Sequence, residues 1–170
     1  LRHSRDTTLA GRLTFAGNTV FPAPDLPRLE QVNGGLEFTD TGVTVQQIAA
    51  KVLGGDASFS ATTENGAVKV RGQGLLKAAA LDTWMGKEIA SRLSGQTNWK
   101  GELTLGRDQT KVRLESALTG LESRLPAPMN KSASNSIPLV LEQQALGKNE
   151  DWFSLQYGRV ASAVWITQQT

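Results

Sequence analysis

Cysteine is absent from this 170-residue chain, and histidine occurs once, as His3 between Arg2 and Arg5. The first absence excludes structural disulfides, thiol chemistry and cysteine-based metal centres. The second leaves no histidine triad or zinc centre to be built within the chain. Aromatic residues are sparse, at 6%. No apolar run approaches the roughly 20 residues of a membrane-crossing helix, and no signal-peptide pattern is visible. Charge of one sign is not clustered either. The 18 Lys and Arg are interleaved with 16 Asp and Glu, for a formal net charge of +2. The pI of about 9.1 reflects this small excess and not the basic stripe that a nucleic-acid binder carries.

Candidate chemistry is correspondingly thin. Glu37, Glu102 and Glu115 alternate with apolar neighbours, as solvated strand positions do. Asp56, after Gly54-Gly55, is expected to be a turn carboxylate bonding its own backbone. Gly72-Gln73-Gly74 is followed by Leu75-Leu76-Lys77, without Walker or dinucleotide spacing, and is expected to mark a strand end or bulge. Trp84, Trp99, Trp152 and Trp165 are expected to plug a core or cover a sheet edge. Neither an enzyme nor a cofactor or metal site is expected.

What the chain does have is period-two alternation. Leu13 and Phe15 alternate with Arg12 and Thr14, and Leu36 and Phe38 with Glu37 and Thr39. Val43 and Val45, then Ala57, Phe59 and Ala61, then Val68 and Val70 continue the pattern. Trp99, Leu103 and Leu105 are followed by Val112, Leu114 and Leu118, and later by Phe153, Leu155 and Tyr157. Short turns are expected at Thr39-Asp40-Thr41-Gly42, Glu64-Asn65-Gly66 and Gly106-Arg107-Asp108, where Gly, Asn and Asp accept positive φ. Residues 22–27 and 126–136 are expected to be loops. Over residues 77–93, Leu81, Trp84, Met85, Ile89 and Leu93 recur at helical spacing, with Gly86 in the middle and Ser94-Gly95 as the stop. The motif Gly-x-Leu-x-(Phe/Leu) appears at 11–15, 34–38 and 101–105, consistent with a sheet that grows by addition. The expectation is a mainly β fold, a long antiparallel sheet with one short amphipathic helix near 77–93.

One face of such a sheet is apolar and the other polar. Strands of seven to ten residues would span roughly 23–33 Å, comparable to the hydrocarbon thickness of a bilayer at about 30 Å. Two outcomes follow: an open groove able to shelter acyl tails, or a closed β-sandwich serving protein–protein contacts. Periodicity alone favours the sandwich.

The segment Leu26-Pro27-Arg28-Leu29-Glu30-Gln31-Val32-Asn33-Gly34-Gly35-Leu36-Glu37-Phe38, with Gly42-Val43 and Leu53-Gly54-Gly55, resembles the YhdP branch of the AsmA-like proteins. So does Leu118-Thr119-Gly120-Leu121-Glu122-Ser123-Arg124-Leu125-Pro126-Ala127-Pro128, followed by Lys131. The resemblance spans residues 8–142. It implies one segment, residues 1–170, of a larger repetitive β-groove protein of Gram-negative bacteria, truncated at both ends. It also implies a periplasmic location, with the inner-membrane anchor outside this segment, and carriage of phospholipid between the inner and outer membranes. Phospholipid acyl chains are then the expected partner, with other envelope proteins besides. No catalytic residue, metal or cofactor is implied. By parity the lipid-facing candidates are Leu13, Phe15, Leu36, Phe38, Val43, Val45, Phe59, Val68, Val70, Leu103, Leu105, Val112 and Leu114.

Overall fold

In a computed structural model, residues 9–22, 26–107, 110–145 and 150–168 are described. The alternating runs become strands β1 (Ala10–Val20), β2 (Leu29–Thr39), β3 (Gly42–Val52), β4 (Gly55–Glu64) and β5 (Ala67–Lys77). They continue as β6 (Leu93–Leu105), β7 (Thr110–Ser116), β8 (Leu121–Ser123), β9 (Leu139–Ala145), β10 (Glu150–Tyr157) and β11 (Ala161–Gln168). Ten of them form one continuous antiparallel order, β1-β2-β3-β4-β5-β6-β7-β9-β10-β11, while β8 pairs with the start of β6. Among the described residues the sheet is open, with β1 and β11 as its outermost strands. Neighbours on the path follow one another in the chain except that β8 intervenes between β7 and β9, and the two long links, residues 78–92 and 117–138, lie between β5 and β6 and between β7 and β9.

The turns account for much of this order. Asn65 and Gly66 both take positive φ, at 52° and 76°, the combination that lets a two-residue hairpin follow strand twist. The Leu53-Gly54 hairpin has the same signs, at 52° and 77°, although leucine pays for a conformation that favours glycine. The expected turn at Thr39–Gly42 is present. Of the turn expected at 106–108, Asp108 lies outside the described residues.

The helical segment differs from a continuous helix over 77–93. It is a 3-10 turn, Ala78–Leu81, followed by two single-turn helices, α1 (Asp82–Met85) and α2 (Lys87–Ala90). They are separated by Gly86 at φ 77°, ψ 151°, a region essentially restricted to glycine. The break rotates the apolar stripe out of line. Ala78 and Ala90 are buried, whereas Trp84, Met85 and Ile89 are exposed.

The densest packing lies at one end of the strands. Ala78, Leu118, Leu121 and Tyr157 form a buried cluster, joined by Leu76, Leu93, Met129, Ile137, Leu139 and Ala161. The segment 117–138 therefore folds over the strand ends that carry Leu76, Leu139 and Tyr157. Leu118, expected to extend the seventh strand, instead turns away at φ 52°, because β7 ends at Ser116. Lys131 is 5% exposed within this segment. Its ammonium donates to the carbonyls of Leu118 at 2.8 Å and Ser132 at 2.9 Å, and also to that of Leu121. One side chain thereby donates to three carbonyls, two in loops and one at the start of β8.

Candidate functional site

Antiparallel residues directly opposite one another share a face of the sheet, so the register identifies each wall. Phe15 is opposite Gly34, Gly34 opposite Ile48, Ile48 opposite Phe59, Phe59 opposite Gly72 and Gly72 opposite Gly101. The row goes on through Leu114, Leu141 and Leu155 to Ala163. It crosses every strand of the path, from one edge to the other, without a polar side chain. A second row, Val45-Ala61-Val70-Leu103-Val112, runs beside it. Leu13 faces Leu36, Phe38 faces Val43, and Val68 faces Leu105. All thirteen sequence-derived positions thus fall on one face.

That face is not covered by a second sheet among the described residues; the closed sandwich that periodicity alone favoured is replaced by a single layer. Leu13, Leu105 and Leu114 are exposed, Val45 is buried, and the other nine candidates are half-buried by their neighbours. Asp151, at one margin, is the charged strand residue whose register places it on this face among the described residues.

Glycine makes the wall dense without making it tall. A Cβ on Gly72 would come within 2.8 Å of the Phe59 ring and 3.3 Å of Trp99. The two rings tilt against each other at 6.1 Å and spread over the glycine backbone, a known way of protecting strand glycines. The Trp99 indole N–H is buried and makes no hydrogen bond among the described residues. Gly72-Gln73-Gly74 thus lies inside β5, not at a strand end, and serves as a bed for aromatic rings.

The opposite face is charged and self-paired. Arg12 pairs with Glu37, Arg28 with Glu30, Lys51 with Asp56 at 3.8 Å, and Lys69 with Glu64 at 2.8 Å. Arg71 meets Glu102 at 3.2 Å, and Arg113 meets both Glu115 and Glu142. The hydrogen bond and charge of Lys69 hold Glu64 below the usual carboxylate value, and Glu115 and Glu142 push the Arg113 guanidinium up. Asp56 is a strand residue paired with Lys51, not the turn carboxylate expected. Each exposed pair adds little stability; together they make this face a poor seat for any apolar layer. A depression of about 650 Å³ lies over its middle, between residues such as Ser60, Arg71, Lys100 and Glu102. A cavity of about 700 Å³ adjoins the helical turns, lined by Ala78, Ala79, Ala90 and Leu93 with Lys77 and Lys87.

Several members of the apolar wall were not among the sequence-derived positions. Ile48 escapes simple alternation because β3 carries an extra residue between Val45 and Ile48, which reverses parity. Trp99, Phe153 and Leu155 kept their parity and were legible by the same rule. Trp165 stacks on Phe153 at 5.3 Å, a contact that only the β10–β11 register reveals. No group of His, Asp and Glu suited to a metal occurs among the described residues. No described helix is long and apolar enough to cross a membrane. A family model described as YhdP protein matches residues 1–170. No curated protein and no solved structure matches the chain.

Proposed function

Because the chain belongs to the YhdP family, a family of lipid-transport type, we propose that it is one stretch of a longer, repetitive periplasmic groove. That groove conducts phospholipid between the inner and outer membranes and so sustains outer-membrane integrity. The observation that carries this is the uninterrupted apolar row from Phe15 to Ala163, which lies across the strands and not along them.

The physics is passive and non-enzymatic. Each methylene of an acyl tail laid on the row gains about 0.8 kcal/mol over water when fully buried. Repetition of similar aliphatic side chains along the row offers no deep stopping point, so a tail exchanges one contact for an equivalent one. Headgroups remain in water, since the row contains nothing to replace their hydration. The charged reverse face keeps the sheet soluble on the side that carries no lipid. Leu13, Phe15, Leu36, Phe38, Val43, Val45, Phe59, Val68, Val70, Leu103, Leu105, Val112 and Leu114 are the proposed tail contacts, with Ile48 and Leu141 added.

The test is lipid extraction and mass spectrometry on protein purified without detergent. Phospholipid recovered at a fixed ratio to protein supports the proposal. A lipid-free preparation that also takes up none from vesicles would overturn it.

A further inference from the structure

The cavity of about 700 Å³ beside the helical turns takes all of its lining from residues 77–96, in the middle of the sheet. It is not part of the apolar wall. Leu76 and Thr97 are opposite one another on the wall side, so Lys77, Ser94 and Gln96 of the lining carry the parity of the charged face. Ala78, Ala79, Ala90 and Leu93 supply its apolar part.

Backbone bonds hold this frame. The Lys77 N–H donates to the Leu53 carbonyl at 3.0 Å, the Gly86 N–H to that of Asp82 at 3.1 Å and the Ala90 N–H to that of Gly86 at 3.0 Å. The Lys77 stem is packed too: a Cβ on Gly54 would meet its Cβ at 3.3 Å and its Cδ at 3.6 Å. Three ionisable residues line the cavity, Lys77, Asp82 and Lys87. The Asp82 carboxylate is engaged, accepting from the Thr83 N–H at 2.7 Å and the Thr83 hydroxyl at 3.2 Å. The two ammonium groups, the Ser94 hydroxyl and the Gln96 side-chain amide have no hydrogen-bond or ion-pair partner among the described residues. The cavity is therefore rich in unengaged donors, two of them charged, beside an apolar surface.

We propose that this cavity binds a phosphorylated amphiphile, a phosphate monoester carrying an apolar chain. A phosphate monoester holds a charge of about −1.5 to −2 at pH 7, which Lys77 and Lys87 match together; a carboxylate matches one of them. Charge-assisted hydrogen bonds from the two ammonium groups hold the phosphate, and Ser94 and Gln96 supply neutral donors to its remaining oxygens. The chain lies against Ala79, Ala90 and Leu93, which offer a sugar or a second charge nothing to replace its hydration. Neither part suffices alone: exposed ion pairs are weak, and so is the burial of a few methylenes. The site lies on the opposite side of the sheet from the wall and does not rest on the lipid-carriage reading.

Calorimetric titration of the chain with octyl phosphate, kept below micelle formation, tests this against inorganic phosphate, octanoate and octyl glucoside. Octyl phosphate should saturate a single site and bind roughly tenfold tighter or more than any of the other three. Lys77→Gln together with Lys87→Gln should weaken it about tenfold or more, with an unchanged circular dichroism spectrum. Ala79→Trp, which places a ring in the cavity from an exposed position, should abolish the binding at an unchanged urea midpoint. Absence of saturable binding would overturn the proposal. So would octanoate or octyl glucoside binding as tightly, or octyl phosphate binding indifferent to the paired lysine substitution, as an amphiphile spread on the wall would show.

Discussion

The ring of Phe38 occupies the space that a side chain on Gly11 would need, directly across the β1–β2 ladder. The same motif in reverse sets Phe15 opposite Gly34, with Leu13 opposite Leu36 between them. The recurring Gly-x-Leu-x-Phe pattern is thus self-complementary in register when antiparallel, but the two glycines differ: Gly11 is the recess for the Phe38 ring, whereas a Cβ on Gly34 would meet the Gln47 carbonyl at 2.7 Å and Ile48 at 3.1 Å on β3. In β6 the third copy places Gly101 opposite Leu114, whose Cδ2 a Cβ would meet at 2.8 Å.

Glycine substitutions should separate recess from spacer. At Gly74 a Cβ would lie 2.7 Å from the Asp56 carbonyl and 2.9 Å from the Ala57 Cα, backbone that cannot swing aside. Gly74→Val should therefore cost about 1–3 kcal/mol in urea unfolding. Gly11→Val should cost less, because the Phe38 ring can rotate into the open. At Gly35, on the other face, the nearest atom is 3.8 Å away. Gly35→Ala should be neutral or stabilising by about 0.5 kcal/mol. Equal losses at Gly74 and Gly35 would contradict the packing described.

Lys131 should hold segment 117–138 in place. Lys131→Met removes the ammonium that donates to the carbonyls of Leu118, Leu121 and Ser132, leaving Leu118 only the longer bond from the Leu121 N–H at 3.3 Å, and should cost at least about 2 kcal/mol. Burial also pushes the Lys131 ammonium below the ordinary lysine value. Between that lowered value and about 10.4 the unfolded chain holds more protons at this site than the folded one. Stability contributed through this group therefore rises with pH across that window, and the desolvation cost is felt in full below it. Unfolding curves should show the gap between the unmodified chain and Lys131→Met widening as pH is raised towards 10. A narrowing gap would contradict the burial.

Charge on the apolar wall should stop lipid binding without unfolding the sheet. Leu36→Glu or Leu103→Glu should lower recovered phospholipid roughly tenfold, since a carboxylate beside an acyl chain must lose hydration. Thr14→Glu or Ser60→Glu, on the charged face, should leave recovery unchanged. In cells making the full-length protein, the wall variants alone should raise detergent sensitivity at normal protein levels. Loss of lipid from both sets would point to a global effect and contradict a one-faced site.

How far the sequence reached depended on whether parity was interrupted. Alternation located the two faces of β1, β2 and β4 to β7, because each run is in phase with its neighbour's pairing. It lost Ile48, where one extra residue in β3 reverses the phase, and Leu118, where the strand ends two residues sooner. The 77–93 segment has helical spacing in its apolar residues, but spacing alone does not show that Gly86 breaks it. Its non-helical φ and ψ decide which residues are buried. The role of Lys131 had no local signature at all, since its three acceptors come together only when segment 117–138 closes on itself.

The central claim, that acyl tails lie along the apolar row, is tested most directly by photo-crosslinking in living cells. A photoreactive residue would be placed in turn at Leu103 and Leu36 on the wall, and at Glu102 and Glu37 on the reverse face. Phospholipid adducts at 103 and 36, with none at 102 and 37, are predicted. Adducts of equal yield on both faces, or lipid captured only from the charged side, would contradict it.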